Sequence, residues 1–165
     1  MTPSPVRQFF LPKLNKGLLR RILLLTISCL LIFTYLLIPL RIQGKSMEPT
    51  YMDGSFAFCW QLQYLFAEPA RSDIVTIRYA GRKVMLLKRI IGLAGDTIEF
   101  RKGVLYVNGK RTPEPYVRQT STWDLPERTV KPGHVYVVGD NRSTVMSRHR
   151  FGQTTVSRII GGVIP

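Results

Sequence analysis

The sequence predicts a mainly β fold, a compact antiparallel β-sheet domain preceded by one N-terminal transmembrane helix. An uncharged apolar stretch lies close to the N-terminus. After it, short β-branched and aromatic runs recur between turn residues, and helical periodicity is hard to find. The chain has 165 residues, which is enough for one modest domain and excludes a multidomain enzyme.

The apolar stretch covers residues 22–40, which carry no charged side chain. As a helix it is about 28 Å long, close to the thickness of a bilayer core. Arg41 follows it in place of a small-residue cleavage site, so the stretch predicts an uncleaved anchor rather than a signal peptide. Residues 1–21 are basic and lack acids, which places them in the cytoplasm and residues 41–165 on the outer side of the cell membrane.

The charge is strongly positive, with 24 Lys and Arg against 10 Asp and Glu, a net +14. Such a balance is typical of proteins that bind nucleic acid or an anionic membrane. Part of it belongs to the basic tail that orients the anchor. We therefore interpret the positive outer domain as a surface held against a phospholipid bilayer, and expect no nucleic-acid partner. The sequence leaves the oligomeric state open.

Six strands are predicted in the outer domain, and the turn dipeptides Lys102-Gly103 and Asn108-Gly109 predict a hairpin that turns again at once. Residues 112–132 contain four prolines and predict an irregular excursion. Cys29 lies in the apolar stretch and Cys59 beyond it, so no disulfide is expected. The predicted strands are Phe56–Gln61, Ile74–Tyr79, Val84–Ile91, Thr97–Phe100, Val104–Val107 and Val135–Val138.

Residues 56–66 are unusually rich in aromatic side chains. By strand alternation we expect the even-numbered ones to fill the core. The alternative is that the part from Trp60 to Phe66 dips into the membrane interface.

The sequence lacks glycine-rich phosphate loops and zinc-ligand spacings, so no cofactor or metal is expected. His134 and His149 have no ligand-spaced partners, and a structural or solvated role suits them better than a catalytic triad. A serine and a lysine remain. Ser46 follows Gly44 in a short loop, and Lys88 lies in a predicted strand.

Strand alternation places Lys88 on an apolar face with Leu86 and Ile90, and Arg89 on the opposite face. A free lysine has a pKa of about 10.4, and lowering it by about three units corresponds to about 4 kcal/mol, which desolvation can supply. The neutral amine then takes a proton from Ser46 as the serine attacks a carbonyl group. The alternative is that Lys88 and Arg89 form a solvated basic edge.

Three segments follow one another along the chain: Ser46-Met47-Glu48-Pro49-Thr50, residues 88–97 (KRIIGLAGDT), and Gly139-Asp140-Asn141-Arg142 with Ser147-Arg148 and Phe151-Gly152. In this order they resemble the conserved boxes of the type I signal peptidase family, and the similarity runs from the anchor nearly to the C-terminus. The resemblance implies a membrane-bound serine endopeptidase with a Ser/Lys dyad, in which Ser46 is the nucleophile and Lys88 the general base. The oxyanion is then held by the backbone N–H of Ser46. Some members add a hydroxyl at the position of Gly44.

The resemblance also implies supporting residues. A hydroxyl that bonds the lysine amine falls on Thr144 or, because this box is one residue short, on Ser143. Met146 stands where the family has an aspartate, so Arg148 lacks its expected ion-pair partner. The residues to which the resemblance gives structural roles are Asp140, Asn141, Ser147 and Arg148.

The substrates that this resemblance implies are exported precursor proteins with N-terminal signal peptides, bound as an added β-strand. We expect the edges for that strand to come from Val84–Ile91 and from the strand leading from Ser46 toward Phe58. Two alternatives are a conjugation- or pilin-type processing peptidase with a dedicated substrate, and a catalytically inactive membrane-anchored binding module.

Overall fold

The computed structural model describes residues 15–80, 84–119, 121–148 and 152–164, which form an N-terminal helix and two antiparallel sheets. The helices are α1 (Lys16–Leu31) and the short α2 (Gln63–Phe66). The strands are β1 (Leu37–Arg41), β2 (Phe56–Trp60), β3 (Ile74–Ala80), β4 (Val84–Gly92), β5 (Thr97–Arg101), β6 (Val104–Val107), β7 (Lys110–Arg111), β8 (Leu125–Thr129), β9 (His134–Val138), β10 (Gly152–Thr155) and β11 (Ile159–Ile164).

Helix α1 begins after Asn15, whose side-chain oxygen accepts a hydrogen bond from the Leu18 amide. It continues as a π-helical turn, and the whole span Lys16–Leu36 is long and apolar enough to cross a membrane. These bounds differ from the predicted 22–40, because Leu37–Arg41 leaves the helix and forms β1. Pro39 cannot continue a helix but is tolerated in an edge strand, which β1 is.

The larger sheet has the order β1-β2-β11-β3-β4-β9-β10, and the smaller one the order β7-β6-β5-β8. All six predicted strands are present, each within one or two residues of its predicted bounds. Strands β1, β7, β8, β10 and β11 were not predicted. Strand β7 follows the predicted second turn and pairs with its chain neighbour β6. The other four are short or lack alternation, and their pairing comes from more distant segments. For example, β8 lies in the proline-rich excursion and pairs with β5.

Three groups of buried side chains hold the domain together. The first fills the space between the small sheet and strands β4 and β9, and includes Phe100 and Trp123 in an edge-to-face contact. The second lies on the face of the large sheet that carries Val75, Ile90 and Val137. The third is built from Ile42, Met47, Tyr51 and Ala57 and supports the loop that carries Ser46.

The aromatic residues of β2 face outward, contrary to the prediction that the even-numbered ones fill the core. Ala57 and Cys59 are the buried positions, whereas Phe56 is 71% exposed. Gly161 of the neighbouring strand β11 lies directly against the Trp60 backbone and the Cys59 side chain, which leaves little space for a large ring at the buried positions of β2. Leu65 and Phe66 in α2 are also exposed, at 71% and 84%.

A buried ion pair connects β4 to the segment after β9. Arg89 donates to both carboxylate oxygens of Asp140, at 2.8 and 2.6 Å, and also to the Ser72 carbonyl. Burial alone would lower the pKa of Arg89, but the bonds and charge of Asp140 outweigh it and raise that pKa. The Thr50 hydroxyl donates to the same carboxylate. The pair therefore fixes β4, the Ser46 loop and residues 139–142 relative to one another.

Replacing one partner of this pair should be strongly destabilising. The substitution Asp140→Ala leaves a buried guanidinium without its carboxylate, which we expect to cost about 3–5 kcal/mol of unfolding free energy. The double variant Arg89→Met/Asp140→Leu should recover most of that loss, because it removes both charges. Thermal and denaturant unfolding in detergent measure these values. Glu99→Ala, which breaks the exposed pair with Arg101, is the matched control and should have a much smaller effect. An Asp140→Ala protein as stable as this control would contradict the role given to the pair.

Candidate active site

Ser46 lies in a tight loop between β1 and β2. Met47, the next residue, is buried against Ile42 and Tyr51, and this contact attaches the loop to the third core cluster. The Tyr51 amide bonds to the Met47 carbonyl, and the Glu48 amide to the Lys45 carbonyl. Ser46 itself is half-buried and lines a groove. The loop therefore presents its hydroxyl on a fixed backbone.

The Lys88 amine reaches this hydroxyl from β4. The distance from Lys88 Nζ to Ser46 Oγ is 3.0 Å, within hydrogen-bond range. Lys88 is 3% exposed, on the face of the sheet that also carries Val75 and Ile90. Arg89, on the opposite face, is 8% exposed. Since both side chains are buried, the interpretation of a solvated basic edge is wrong. Burial disfavours a charged amine, and this is the condition for a lysine to act as a base.

Asn141 attaches the loop to the segment after β9. Its amide N–H donates to the Ser46 carbonyl at 3.1 Å, and its side-chain amide donates to the Lys45 carbonyl at 2.9 Å. Together with the bond from Thr50 to Asp140, these contacts hold both sides of Ser46. Asp140 and Asn141 thus both contact the loop that carries Ser46.

Gly44 explains one departure from the family pattern. Its φ is +90°, a left-handed conformation that favours glycine over a residue with a side chain. Its amide donates to the Asp53 carboxylate at 2.8 Å. A serine at this position would strain the loop, so the geometry here suits a backbone that has no additional hydroxyl.

Further support comes from the proline-rich excursion. Glu114 accepts two bonds from Arg142, which is buried and lies over the rings of Phe100 and Trp123. The Tyr116 hydroxyl donates to the same carboxylate, and its ring lies 3.9 Å from the Arg89 guanidinium. Burial and the Glu114 charge raise the pKa of Tyr116 well above its usual value. Sequence reasoning missed Glu114 and Tyr116, because an irregular segment carries no periodic signal.

The two candidate supporting hydroxyls lie close after Asn141. The Ser143 hydroxyl donates to the Asn141 side-chain oxygen at 2.6 Å. Thr144 is exposed, and its carbonyl accepts a bond from the Trp123 ring nitrogen. The choice between Thr144 and Ser143 as the partner of the Lys88 amine stays a prediction.

Met146, Ser147 and Arg148 form one 3-10 turn. Met146 is partly buried and packs against the first core cluster, where a carboxylate would be poorly solvated. This packing gives a physical reason for the missing aspartate. Ser147 is exposed, and the side chain of Arg148 lies outside the described part.

The two histidines have separate outcomes. The His134 ring nitrogen Nδ1 lies 2.9 Å from the Pro132 carbonyl, at the far end of β9 from Asn141, which is consistent with a structural role. His149 lies outside the described residues. Within the ranges that the structure describes, no group of three or more His, Cys, Asp or Glu could hold a metal ion.

A groove of about 450 Å³ ends at Ser46. One wall is formed by residues 38–44 and the other by residues 85–87 of β4. The register between β4 and β9 begins at Arg89, so in the described part β4 has an open edge before that point. The predicted second edge is wrong. Strand β2 pairs with β1 and β11 on its two sides, and the wall instead comes from the residues before Ser46.

Comparisons with known proteins identify the family of this chain. The family model "Signal peptidase, peptidase S26" matches residues 16–164. The chain is 36% identical over 136 residues to signal peptidase I of Bacillus caldolyticus, covering 74% of each chain. It is 34% identical over 153 residues to signal peptidase I of Bacillus licheniformis, covering 86% of this chain and 82% of that one.

A solved structure gives the same result for the fold. The crystal structure of a signal peptidase I from Enterococcus faecalis matches with a TM-score of 0.50 at 29% identity, over 59% of this chain and 98% of that one. The sheets, the groove ending at a serine and the family match point to one conclusion. The chain belongs to the signal peptidase I family of serine endopeptidases, which remove signal peptides from exported precursor proteins.

Proposed function

We propose that Ser46 is the nucleophile and Lys88 the general base of this peptidase. The observation that carries the proposal is the 3.0 Å separation of Lys88 Nζ and Ser46 Oγ, with the amine buried. A buried amine can be neutral near pH 7, and a neutral amine at this distance can accept the serine proton. The fixed loop around Ser46 keeps the two atoms aligned.

The proposed reaction has two steps. Ser46 Oγ attacks the scissile carbonyl carbon while its proton moves to Lys88 Nζ, and the tetrahedral oxyanion is held by the Ser46 backbone N–H. Lys88 then gives the proton to the leaving amine, so the C–N bond breaks and an acyl ester remains on Ser46. Water, deprotonated by Lys88, hydrolyses the ester and restores the hydroxyl.

The groove supports binding of the residues before the cut as an extended strand. Residues 85–87 offer unpaired backbone groups on one side, and residues 38–44 lie opposite. Its lining is mainly apolar and includes Leu40, Met47 and Leu87. An extended segment with small side chains fits this space, and its carbonyl then reaches Ser46.

The anchor and the exposed aromatic residues support a position at the membrane surface. Span Lys16–Leu36 would cross the bilayer with its basic N-terminal side in the cytoplasm, so the sheets lie on the outer side. We call Phe56, Phe58, Trp60, Leu65 and Phe66 the aromatic patch. Its members are exposed on β2 and α2, next to β1 and the end of the helix. Aromatic side chains favour the bilayer interface.

The dyad can be tested by cleavage of a precursor with an Ala-x-Ala site in detergent. Ser46→Ala and Lys88→Ala should each reduce kcat/KM by at least about a thousandfold, since each removes a group that acts in the chemical step. Ser55→Ala, in the same loop, is the matched control and should cleave like the wild type. Equal cleavage by all four proteins would overturn the proposal and favour the inactive binding module.

The pH dependence tests the base separately. Only the neutral Lys88 amine accepts a proton, so kcat/KM should rise with pH as this amine loses its proton, and the rise should lie well below the ordinary lysine pKa of about 10.4. Lys88→Arg should stay inactive at every pH, because a guanidinium does not deprotonate. A wild-type profile that is flat from acid to alkaline pH would contradict the role of Lys88.

The aromatic patch can be tested without the anchor. A protein beginning at residue 37 with Trp60→Ser, Leu65→Ser and Phe66→Ser should bind liposomes more weakly than the same protein without the substitutions, as measured by co-flotation. Tyr79→Ser, which removes an exposed aromatic residue of β3, is the control. Circular dichroism checks folding. Unchanged binding in a folded triple variant would rule out a membrane contact by these residues.

A further inference from the structure

Lys88 lines a second cavity and is not among the residues that line the groove ending at Ser46, although Leu86 lines both. The second cavity has a volume of about 200 Å³ and lies on the sheet face that carries Leu86 and Lys88. Arg78 at the end of β3 and Arg158 in the turn before β11 line it, and both are exposed. None of its described lining residues is acidic. The cavity therefore places positive charge next to the proposed base.

Gly152 and Gln153 of β10 line this cavity and also a larger one of about 740 Å³, so the two lie next to each other at this edge strand. Arg128, Lys131 and His134 contribute to the larger cavity, and its described lining also has no acidic residue. We call the two cavities together the basic groove. It starts at Lys88 and extends around the edge strand β10.

Hydrogen bonds of Gln153 fix the backbone at the centre of the basic groove. The Gln153 side chain donates to the Thr129 carbonyl at 2.9 Å and accepts from the Lys131 amide at 3.0 Å. These bonds attach the segment after β8 to β10. The backbone at Arg128 and Lys131 is thereby held beside the cavity.

The proposed chemistry defines what occupies the space beside Lys88. After Ser46 attacks, the part of the substrate before the cut stays bonded to the serine and lies in the groove that ends at Ser46. The leaving amine takes its proton from Lys88, so the chain after the cut begins at that side chain. The cavity lined by Lys88, which does not line the groove ending at Ser46, is the start of the basic groove.

The charge of that chain complements the groove. Segments that follow an apolar stretch onto the outer side of a membrane are poor in Lys and Arg, because basic residues there oppose that orientation. The residues just after the cut are therefore expected to be poor in Lys and Arg, which leaves acidic and neutral side chains. A groove lined by one sign of charge attracts the opposite sign and repels its own.

We propose that the basic groove receives the first residues after the cleavage site and selects acidic over basic side chains there. This inference rests on the proposed dyad of Ser46 and Lys88. It assigns Arg78 and Arg158 a role in substrate selection. Exposed charge pairs are individually weak, so the expected selection is a matter of rates rather than an absolute barrier.

The test compares three peptides that are identical up to and including the first residue after the cut. The second and third residues after the cut are Asp-Glu, Ser-Gln or Lys-Arg, and the full-length protein in detergent is assayed at low salt. The wild type should cleave the acidic peptide with a kcat/KM about three- to tenfold above that of the basic peptide. The ratio should shrink at about 1 M salt, where charges are screened.

Variants assign the effect to the groove. Arg78→Gln/Arg158→Gln should bring the ratio of kcat/KM for the acidic peptide to kcat/KM for the basic peptide close to one, and Arg78→Glu/Arg158→Glu should invert it. Each ratio compares two peptides cleaved by the same protein. Arg111→Gln removes an exposed arginine on β7 in the other sheet and should keep the wild-type ratio. Circular dichroism and cleavage of the Ser-Gln peptide confirm that each variant is folded.

The outcomes separate this inference from the proposed dyad. If Ser46→Ala cleaves the Ser-Gln peptide as the wild type does, the dyad is wrong. If the dyad variants are inactive but the wild type cleaves all three peptides equally, the basic groove does not select charge. A wild-type ratio that persists in Arg78→Gln/Arg158→Gln would likewise overturn the inference.

Discussion

The buried pair of Arg89 and Asp140 connects the parts of the chain on which the active site depends. Arg89 follows Lys88 on β4, so strand alternation directs one side chain toward Ser46 and the other toward Asp140. Asp140 in turn holds Thr50 of the Ser46 loop, and the adjacent Asn141 bonds to the carbonyls of Lys45 and Ser46. One short strand therefore supplies the proposed base and also fixes the loop of the nucleophile.

Lys88 and Arg89 are both buried, and each avoids an unpaired buried charge in a different way. An arginine stays charged in proteins, so a buried one needs a carboxylate, and Arg89 has Asp140. A lysine can instead lose its proton when it is desolvated. The order Lys-Arg thus assigns each residue to the face that suits it, and exchanging the two would leave an ion without a carboxylate on one face. The network of Glu114, Tyr116 and Arg142 covers the side of β4 that carries Arg89.

Sequence reasoning predicted the main strands and the candidate dyad because each depends on a local pattern. Alternation on β4 was enough to place Lys88 on a buried face. Features that depend on distant contacts were missed. They are Glu114 in the proline-rich excursion and strands β1, β8, β10 and β11. Strand alternation predicts one buried face of β2 but does not say which, and the odd-numbered Ala57 and Cys59 are the buried residues. Gly161 lies directly against the Trp60 backbone and the Cys59 side chain there, which leaves little space for a ring. The predicted end of the helix was wrong because an apolar segment such as residues 37–40 suits a membrane helix and a strand equally well. Pairing with β2 makes it a strand.

The central claim is that the Lys88 amine is a neutral base at physiological pH. Its titration can be followed directly by NMR of protein carrying ¹³C- and ¹⁵N-labelled lysine, with the Lys88→Arg protein identifying the signal. We predict a midpoint well below the ordinary lysine value of about 10.4. A Lys88 amine that stays charged up to about pH 10 would contradict it.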